Sequence, residues 1–376
     1  MPAVNPKKSA IDGDKLEDII GLCVSGGGYR AMLFHTGAVF RMNELGLLSK
    51  LDRVSSVSGG SMMAAALATA WPKLKFDAGG VATNLEAEFL SLVHAQAEDS
   101  VDVEAGLVGI LPFVTAAQMA AKSYAKNITR GASLSSLPER PLFVFNATNL
   151  MTGALMRFRR DYIADQRIGR IANVPVKLAD AVAASAAFPP FLSPYDVDLT
   201  KGTFIAGDEA THARPPFTEK AVLTDGGVYD NLGTETVWKR CRTVFVSNAG
   251  KPFGFDESPG RDWLQHSLRV IDILMDQSEN LRERILFDAY SKGDRKGAMW
   301  GLTSGLNDPS DRPEMLTQKE YEAAQAVATR LKRMSRGEQN LVLKAGYAHA
   351  ASRIRKYYTP EKGGPADLPD RTPPSV

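Results

Sequence analysis

Val24-Ser25-Gly26-Gly27-Gly28-Tyr29-Arg30-Ala31 joins an apolar run, residues 19–24, to a segment in which Leu33, Val39, Met42 and Leu45 recur at roughly helical spacing. The pattern reads as strand, glycine turn, helix, and the strand is of the buried type found in parallel sheets. Three consecutive glycines remove every Cβ from the turn. Backbone N–H groups can then point into one small volume at a helix N-terminus. Such a volume holds negative charge, either a standing one such as phosphate or one that develops during a reaction. No Lys-Ser or Lys-Thr follows the glycines as in a P-loop, and Gly-Gly-Gly fits Gly-x-Gly-x-x-Gly poorly. Nucleotide binding is therefore the weaker reading.

Two further loops bear on the choice. Val54-Ser55-Ser56-Val57-Ser58-Gly59-Gly60-Ser61 follows a short strand pattern and precedes a helix-forming run, residues 62–71. That is the layout of a nucleophile elbow, whose sharp turn exposes a serine hydroxyl; Ser56 stands where the usual Gly-x-Ser-x-Gly has its first glycine. Much later, Lys220-Ala221-Val222-Leu223-Thr224-Asp225-Gly226-Gly227 gives a strand ending in a carboxylate. A carboxylate there can accept the proton of a serine, although an aspartate before Gly-Gly is also a common turn residue.

Taken together, Ser25 to Met32, Ser56 to Ser61 and Asp225 to Gly227 resemble the three signatures of the patatin-like phospholipases. The continuation Arg30-Ala31-Met32 is more similar to the catalytic domain of cytosolic phospholipases than to plant patatins. Residues 184–191, Ala-Ser-Ala-Ala-Phe-Pro-Pro-Phe, resemble another segment of the family near its active site. The resemblance spans roughly residues 19–250. It implies a Ser–Asp dyad with Ser58 as nucleophile and Asp225 as base, and an oxyanion hole at Gly26, Gly27 and Gly28. It also suggests that Arg30 forks onto a lipid phosphate, against the plainer reading of a structural ion pair. The implied activity is hydrolysis of phospholipid acyl esters through an acyl-enzyme, with no metal or cofactor.

Composition narrows the alternatives. A chain of 376 residues with 44% hydrophobic content can bury a large α/β domain with insertions. A formal charge of +2 argues against a dedicated binder of nucleic-acid polymers. The two cysteines, Cys23 and Cys241, fall in expected core strands and read as a reduced, buried pair. Residues 1–18 are polar and read as a flexible leader with no signal-peptide core, and no run reaches 18 apolar residues. The expected compartment is the cytoplasm, with peripheral membrane association.

The expected architecture is a three-layer α/β/α sandwich around a mostly parallel central sheet. Residues 19–357 form one catalytic domain, with a helical insertion over 73–140 and a helical C-terminal region over 258–357. Residues 358–376, rich in proline, read as a disordered tail. The insertion contains helical stretches near 84–97 and 115–126, and between them an apolar, glycine-rich segment, 105–114, that suits a lid. A long amphipathic helix is expected over 261–290, and Thr317 with Glu320 forms a capping box. Two rival functions stay open. A Ser-His-Asp esterase or thioesterase would need one of His35, His266 or His349 beside Ser58. A catalytically silent lipid-binding module would keep the fold without turnover. A small-molecule or protein activator is neither indicated nor excluded.

Overall fold

The structure, a computed structural model, describes residues 16–101, 116–205, 210–251, 253–305, 313–360 and 364. The segment 105–114 and both expected tails beyond those limits lie outside the described residues. From the N-terminus the strands are β1 (Glu17–Val24), β2 (Arg53–Val57), β3 (Leu142–Asn149), β4 (Ala154–Phe158), β5 (Tyr162–Asp165), β6 (Gly169–Ala172), β7 (Tyr195–Asp198), β8 (Thr203–Ile205), β9 (Lys220–Asp225), β10 (Cys241–Asn248) and β11 (Lys296–Gly301). The helices are α1 (Gly28–Glu44), α2 (Gly59–Ala70), α3 (Ser91–Ala97), α4 (Ala116–Tyr124), α5 (Leu178–Ser185), α6 (Gly227–Asp230), α7 (Glu235–Trp238), α8 (Trp263–Ser291), α9 (Gln318–Ala326) and α10 (Arg336–Tyr357).

One mixed sheet runs in the order β11-β10-β1-β2-β3-β4-β5-β6-β8, with β9 bonded to β3 and β7. The expected parallel character holds from β11 to β3, where each neighbouring pair is parallel. Beyond β3 the pairings from β3 to β8 are antiparallel, and the first is a hairpin that turns around Thr152-Gly153. The region 191–220 reads as irregular in sequence, yet it holds β7 and β8. Strands of three or four residues carry too little alternation to be seen.

Residue alternation along the central strands separates two cores. Leu22 and Val24 of β1 and Phe245 of β10 face the larger one, under α1, α2 and α10. Cys23, Val244 and Val246 face the smaller one, with Val237 of α7 and Leu286 of α8. That alternation gives three layers, helix on sheet on helix. Both cysteines are buried and free, as expected. Within residues 73–140, α3 and α4 each adjoin a π-helical turn, and a bridge pairs Phe76 with Ala82. The last helices carry capping boxes at Thr317/Glu320 and Ser335/Glu338.

Candidate active site

The carboxyl ends of β2 and β9 meet along one edge of β3. β2 runs parallel to β3, with Val57 opposite Asn146. β9 runs antiparallel to β3, with Asp225 opposite Ala147. Asn146 and Ala147 are consecutive, so the two incoming strands stop nose to nose, about one 3.8 Å residue step apart. Neither can continue. The chain leaves β2 through Ser58, at φ 51° and ψ −120°, and enters α2. It leaves β9 through Gly226 and enters α6. Residues 167 positions apart in sequence are thus brought to one place by sheet register.

Ser58 is half-buried, and its positive φ marks the strained elbow expected from sequence. Asp225 is 2% exposed. Its Oδ1 accepts the Gly227 N–H at 2.7 Å. Oδ2 is buried and has no partner in full hydrogen-bond geometry among the described residues. Burial raises the carboxyl pKa to about 6, and the Gly227 N–H and the Ser58 hydroxyl hold that rise back. The group is a carboxylate at neutral pH, desolvated and short of one donor.

Beside them the glycine loop turns at Gly27, φ 134°, and Gly28, φ 59°. The Gly26 N–H is spent on Asn231 O at 3.2 Å. Gly26 instead provides space, because a Cβ there would lie 3.1 Å from the Ser58 Cβ and 2.6 Å from Asn231 Oδ1. The N–H groups of Gly27 and Gly28 donate to no acceptor among the described residues. Neither does that of Gly59, the residue after Ser58, which the sequence reading did not single out. A Cβ on Gly59 would lie 2.1 Å from Gly28 O, so the starts of α1 and α2 touch backbone to backbone. Neither helix has an acidic residue in its first turn. The positive ends of α1 and α2, with three free amides at Gly27, Gly28 and Gly59, thus lie together in the loops beside Ser58.

The other sequence candidates have different surroundings. Arg30 is turned inward and 1% exposed. Its Nε and Nη2 donate to Ala249 O, at 3.2 and 2.8 Å, and Nη1 donates to Val327 O at 2.9 Å. These bonds tie α1 to the end of β10 and to the chain after α9. Desolvation lowers the guanidinium pKa to about 10. His35 is buried, with Nδ1 2.7 Å from Ser247 Oγ and Nε2 3.0 Å from Ser25 O. His349 is buried in α10, and His266 is exposed on α8. Among the described residues no histidine hydrogen-bonds Ser58 or Asp225. Asp230 acts as a turn cap, its carboxylate accepting from the N–H groups of Leu232, Gly233 and Glu235. Asn231 donates to Glu279 of α8 at 2.8 Å, which holds that helix beside the site. No group of three His, Cys, Asp or Glu among the described residues could hold a metal ion.

Comparison with known proteins adds the following. A Saccharomyces cerevisiae (strain ATCC 204508 / S288c) protein described as a candidate meiotic phospholipase, SPO1, is 50% identical over 42 residues, covering 11% of this chain and 7% of that protein. The human GIVD cytosolic phospholipase A2 superposes with a TM-score of 0.48 at 11% identity, over 90% of this chain and 61% of that one. VipD from Legionella pneumophila superposes with a TM-score of 0.36 at 13% identity, over 91% and 67%. The chain thus spans less than two thirds of the yeast protein and of the human enzyme. The profile of one family, described as patatin-like phospholipase, matches residues 22–238, more than half of the sequence. The chain belongs to the patatin-like phospholipase family.

Proposed function

We propose that this protein is a lipid acyl hydrolase of the phospholipase A type, working through Ser58 and Asp225. The observation that carries the reading is the head-on arrival of β2 and β9 beside unspent backbone amides. The Ser58 hydroxyl attacks the ester carbonyl carbon as its proton passes to Asp225 Oδ2. The carbonyl oxygen becomes an oxyanion facing the N–H groups of Gly27, Gly28 and Gly59, with Gly26 leaving room for it. Collapse breaks the ester C–O bond, and the departing alcohol takes the proton from Asp225. Water then adds to the acyl-enzyme with Asp225 again as base, releasing the fatty acid and returning the proton to Ser58.

A carboxylate is a weak match for a serine hydroxyl, so the two contributions have to be compared. General-base help is worth roughly 10²–10⁴ in rate, and one oxyanion donor roughly 10²–10³. Several amides together can then match the base. The Ser-His-Asp alternative draws no support from the histidines, since His35 is engaged elsewhere and His349 lies in the helical layer. Arg30 enters this reading as a structural tie, because its bonds run to Ala249 and Val327.

A lipid substrate brings peripheral membrane contact with it. The surface suited to that contact is α8, whose Met275 Cε would touch a Cβ on Gly227 at 3.0 Å, beside the dyad. Trp263, Val270, Leu274, Leu281 and Ile285 lie exposed on α8. The test of the activity is fatty-acid release from phosphatidylcholine vesicles in the presence of a chelator. Release by the wild type that disappears in Ser58→Ala and falls roughly 10²–10⁴-fold in Asp225→Asn supports the scheme. Equal release by wild type and Ser58→Ala would remove it.

A further inference from the structure

The sharp turn at Ser58 needs something to hold it. A non-glycine residue at φ 51° and ψ −120° keeps that conformation only where its surroundings over-determine it. One restraint comes from α2, whose first-turn N–H groups donate to Ser58 O, that of Ser61 at 2.8 Å and that of Met62 at 3.2 Å. The other comes from Ser185, the last residue of α5, which is fully buried. Its Oγ accepts the Ser58 N–H at 3.0 Å. The same oxygen donates its proton to Asn146 O at 2.6 Å and lies 2.8 Å from Ser61 Oγ. Ser61 directs its own proton to Ser56 Oγ at 3.0 Å and the Ser185 proton goes to Asn146 O, so towards the Ser58 N–H the Ser185 oxygen acts as acceptor.

The backbone around Ser185 grips the other half of the site. Ser185 O accepts the Gly226 N–H at 3.1 Å, and Ala187 O accepts the Asp225 N–H at 2.9 Å and the Thr224 hydroxyl at 3.0 Å. Residues 185–187 thus touch both strand ends that β3 brings together. Sheet register alone sets where β2 and β9 stop. It does not set the direction in which their last side chains point.

We infer that Ser185 is a positioning residue for Ser58, and that residues 185–187 form a bracket fixing the nucleophile relative to Asp225. The inference rests on the reading of Ser58 as nucleophile. Removing the Ser185 hydroxyl frees the Ser58 N–H and lets the strained elbow relax. A misplacement near 1 Å can cost about 10²-fold in rate.

A fluorophosphonate probe followed by intact-protein mass spectrometry separates the two ideas. Wild type labelled on Ser58, and Ser58→Ala unlabelled, supports the nucleophile; wild type unlabelled at Ser58 removes the nucleophile reading itself. Given labelling, Ser185→Ala is expected to lower the saturating labelling rate roughly 10²-fold, with the half-saturating probe concentration within about threefold of wild type. Ser61→Ala loses a buried hydroxyl from the same cluster but keeps the Ser185–Ser58 bond, and is expected to stay within about fivefold of the wild-type rate. Ser185→Thr retains the hydroxyl and should recover most of the loss. If Ser185→Ala does not fold, Ser185→Cys keeps the volume with a weakly accepting sulfur and carries the same expectation of at least about tenfold. A folded Ser185→Ala or Ser185→Cys that labels at the wild-type rate overturns the positioning role, as does a Ser61→Ala defect equal to that of Ser185→Ala.

Discussion

Gly59 sits where α1 and α2 make contact, and a single methyl group there has nowhere to go. Its Cβ would lie 2.1 Å from Gly28 O and 2.8 Å from Gly28 N, both backbone atoms that no side-chain rotation can move aside. Gly59→Ala must separate the two helix ends, and overpacking of this kind typically costs about 1–3 kcal/mol. The expected outcome is a lowered thermal midpoint together with loss of fluorophosphonate labelling, because the amides facing Ser58 move apart. A variant that labels normally would show that those amides do not act on the serine. Asp225 gives a second residue-scale expectation. Its pKa is raised to about 6 because burial penalises the carboxylate more than the Gly227 N–H and the Ser58 hydroxyl favour it. Only the carboxylate can take the serine proton. The value of kcat/KM on a soluble ester should therefore rise with pH through about 6 and then level off. A profile flat from pH 5 to 8 would rule Asp225 out as the base.

At the scale of elements, α8 separates what local pattern reveals from what it does not. The apolar positions expected along this helix are present, but Leu274 is 64% exposed, Leu281 57% and Ile285 48%. Beside the site the helix is attached by polar contacts: Glu279 accepts from Asn231 and Asn248, at 2.8 and 2.7 Å, and Arg282 reaches Asp230 and Glu235, while farther along Leu286 and Ala289 are buried. Periodicity can show that a stripe exists; what covers it is a tertiary fact. The capping box at Thr317 was legible because it is purely local. The end of α9 was not. The spacing suggests a helix to about residue 334, whereas α9 stops at Ala326. The carbonyls of Val327, Arg330 and Leu331 go instead to Arg30, Tyr29 and Val101. The candidate site divides the same way. Ser58, Asp225 and the glycines announce themselves through turn chemistry, while their meeting depends on the register of β3; the resemblance of residues 184–191 places Ser185 near the site, but its bond to Ser58 is a tertiary fact. Trp263, Val270, Leu274, Leu281 and Ile285, spaced 7, 4, 7 and 4 apart, fall in one line along α8. Full burial of one such side chain is worth about 1.5–3 kcal/mol. Replacing Trp263, Leu274 and Leu281 together by serine should weaken binding to phosphatidylcholine vesicles at least about tenfold, leaving fluorophosphonate labelling in solution intact. Unchanged sedimentation with vesicles would move the lipid contact elsewhere.

For the molecule as a whole, buried ionisable groups set opposing dependences on pH. Burial raises the carboxyl pKa of Asp225 to about 6 and, with the neighbouring Glu279, that of Glu283 to about 7. A raised carboxyl pKa favours the fold below the unfolded value, near 4, and that contribution is lost as pH rises through 6 to 7. The buried histidines act in the opposite sense. Burial lowers His35 and His349 from 6.5 to about 3. A lowered histidine pKa leaves the fold undisturbed above 6.5, and stability drains away as pH falls from 6.5 towards 3. The two sets offset each other between about pH 5 and 7. Below about 4 the Asp225 and Glu283 carboxyls are protonated in both states and no longer offset the histidines. Against its burial, Lys239 and Arg282 lower the Glu235 carboxyl pKa, and Lys344 and Thr317 lower that of Glu320. These two lose their stabilising charge as well, so acid unfolding should set in there. His349 is the cleaner probe of the two. His35 holds Ser247 and Ser25 O, whereas both ring nitrogens of His349 are buried without a partner among the described residues, against Phe34 and Tyr321. His349→Leu removes a proton acceptor that only the unfolded chain can use. Between pH 8 and pH 5 the wild type loses about 1.5 units × 1.36 kcal/mol, roughly 2 kcal/mol, through this residue. Urea unfolding at the two pH values should show the variant gaining about that much relative to wild type on acidification. A stability difference that does not change with pH would mean that His349 already finds a proton, or a partner for it, in the folded protein.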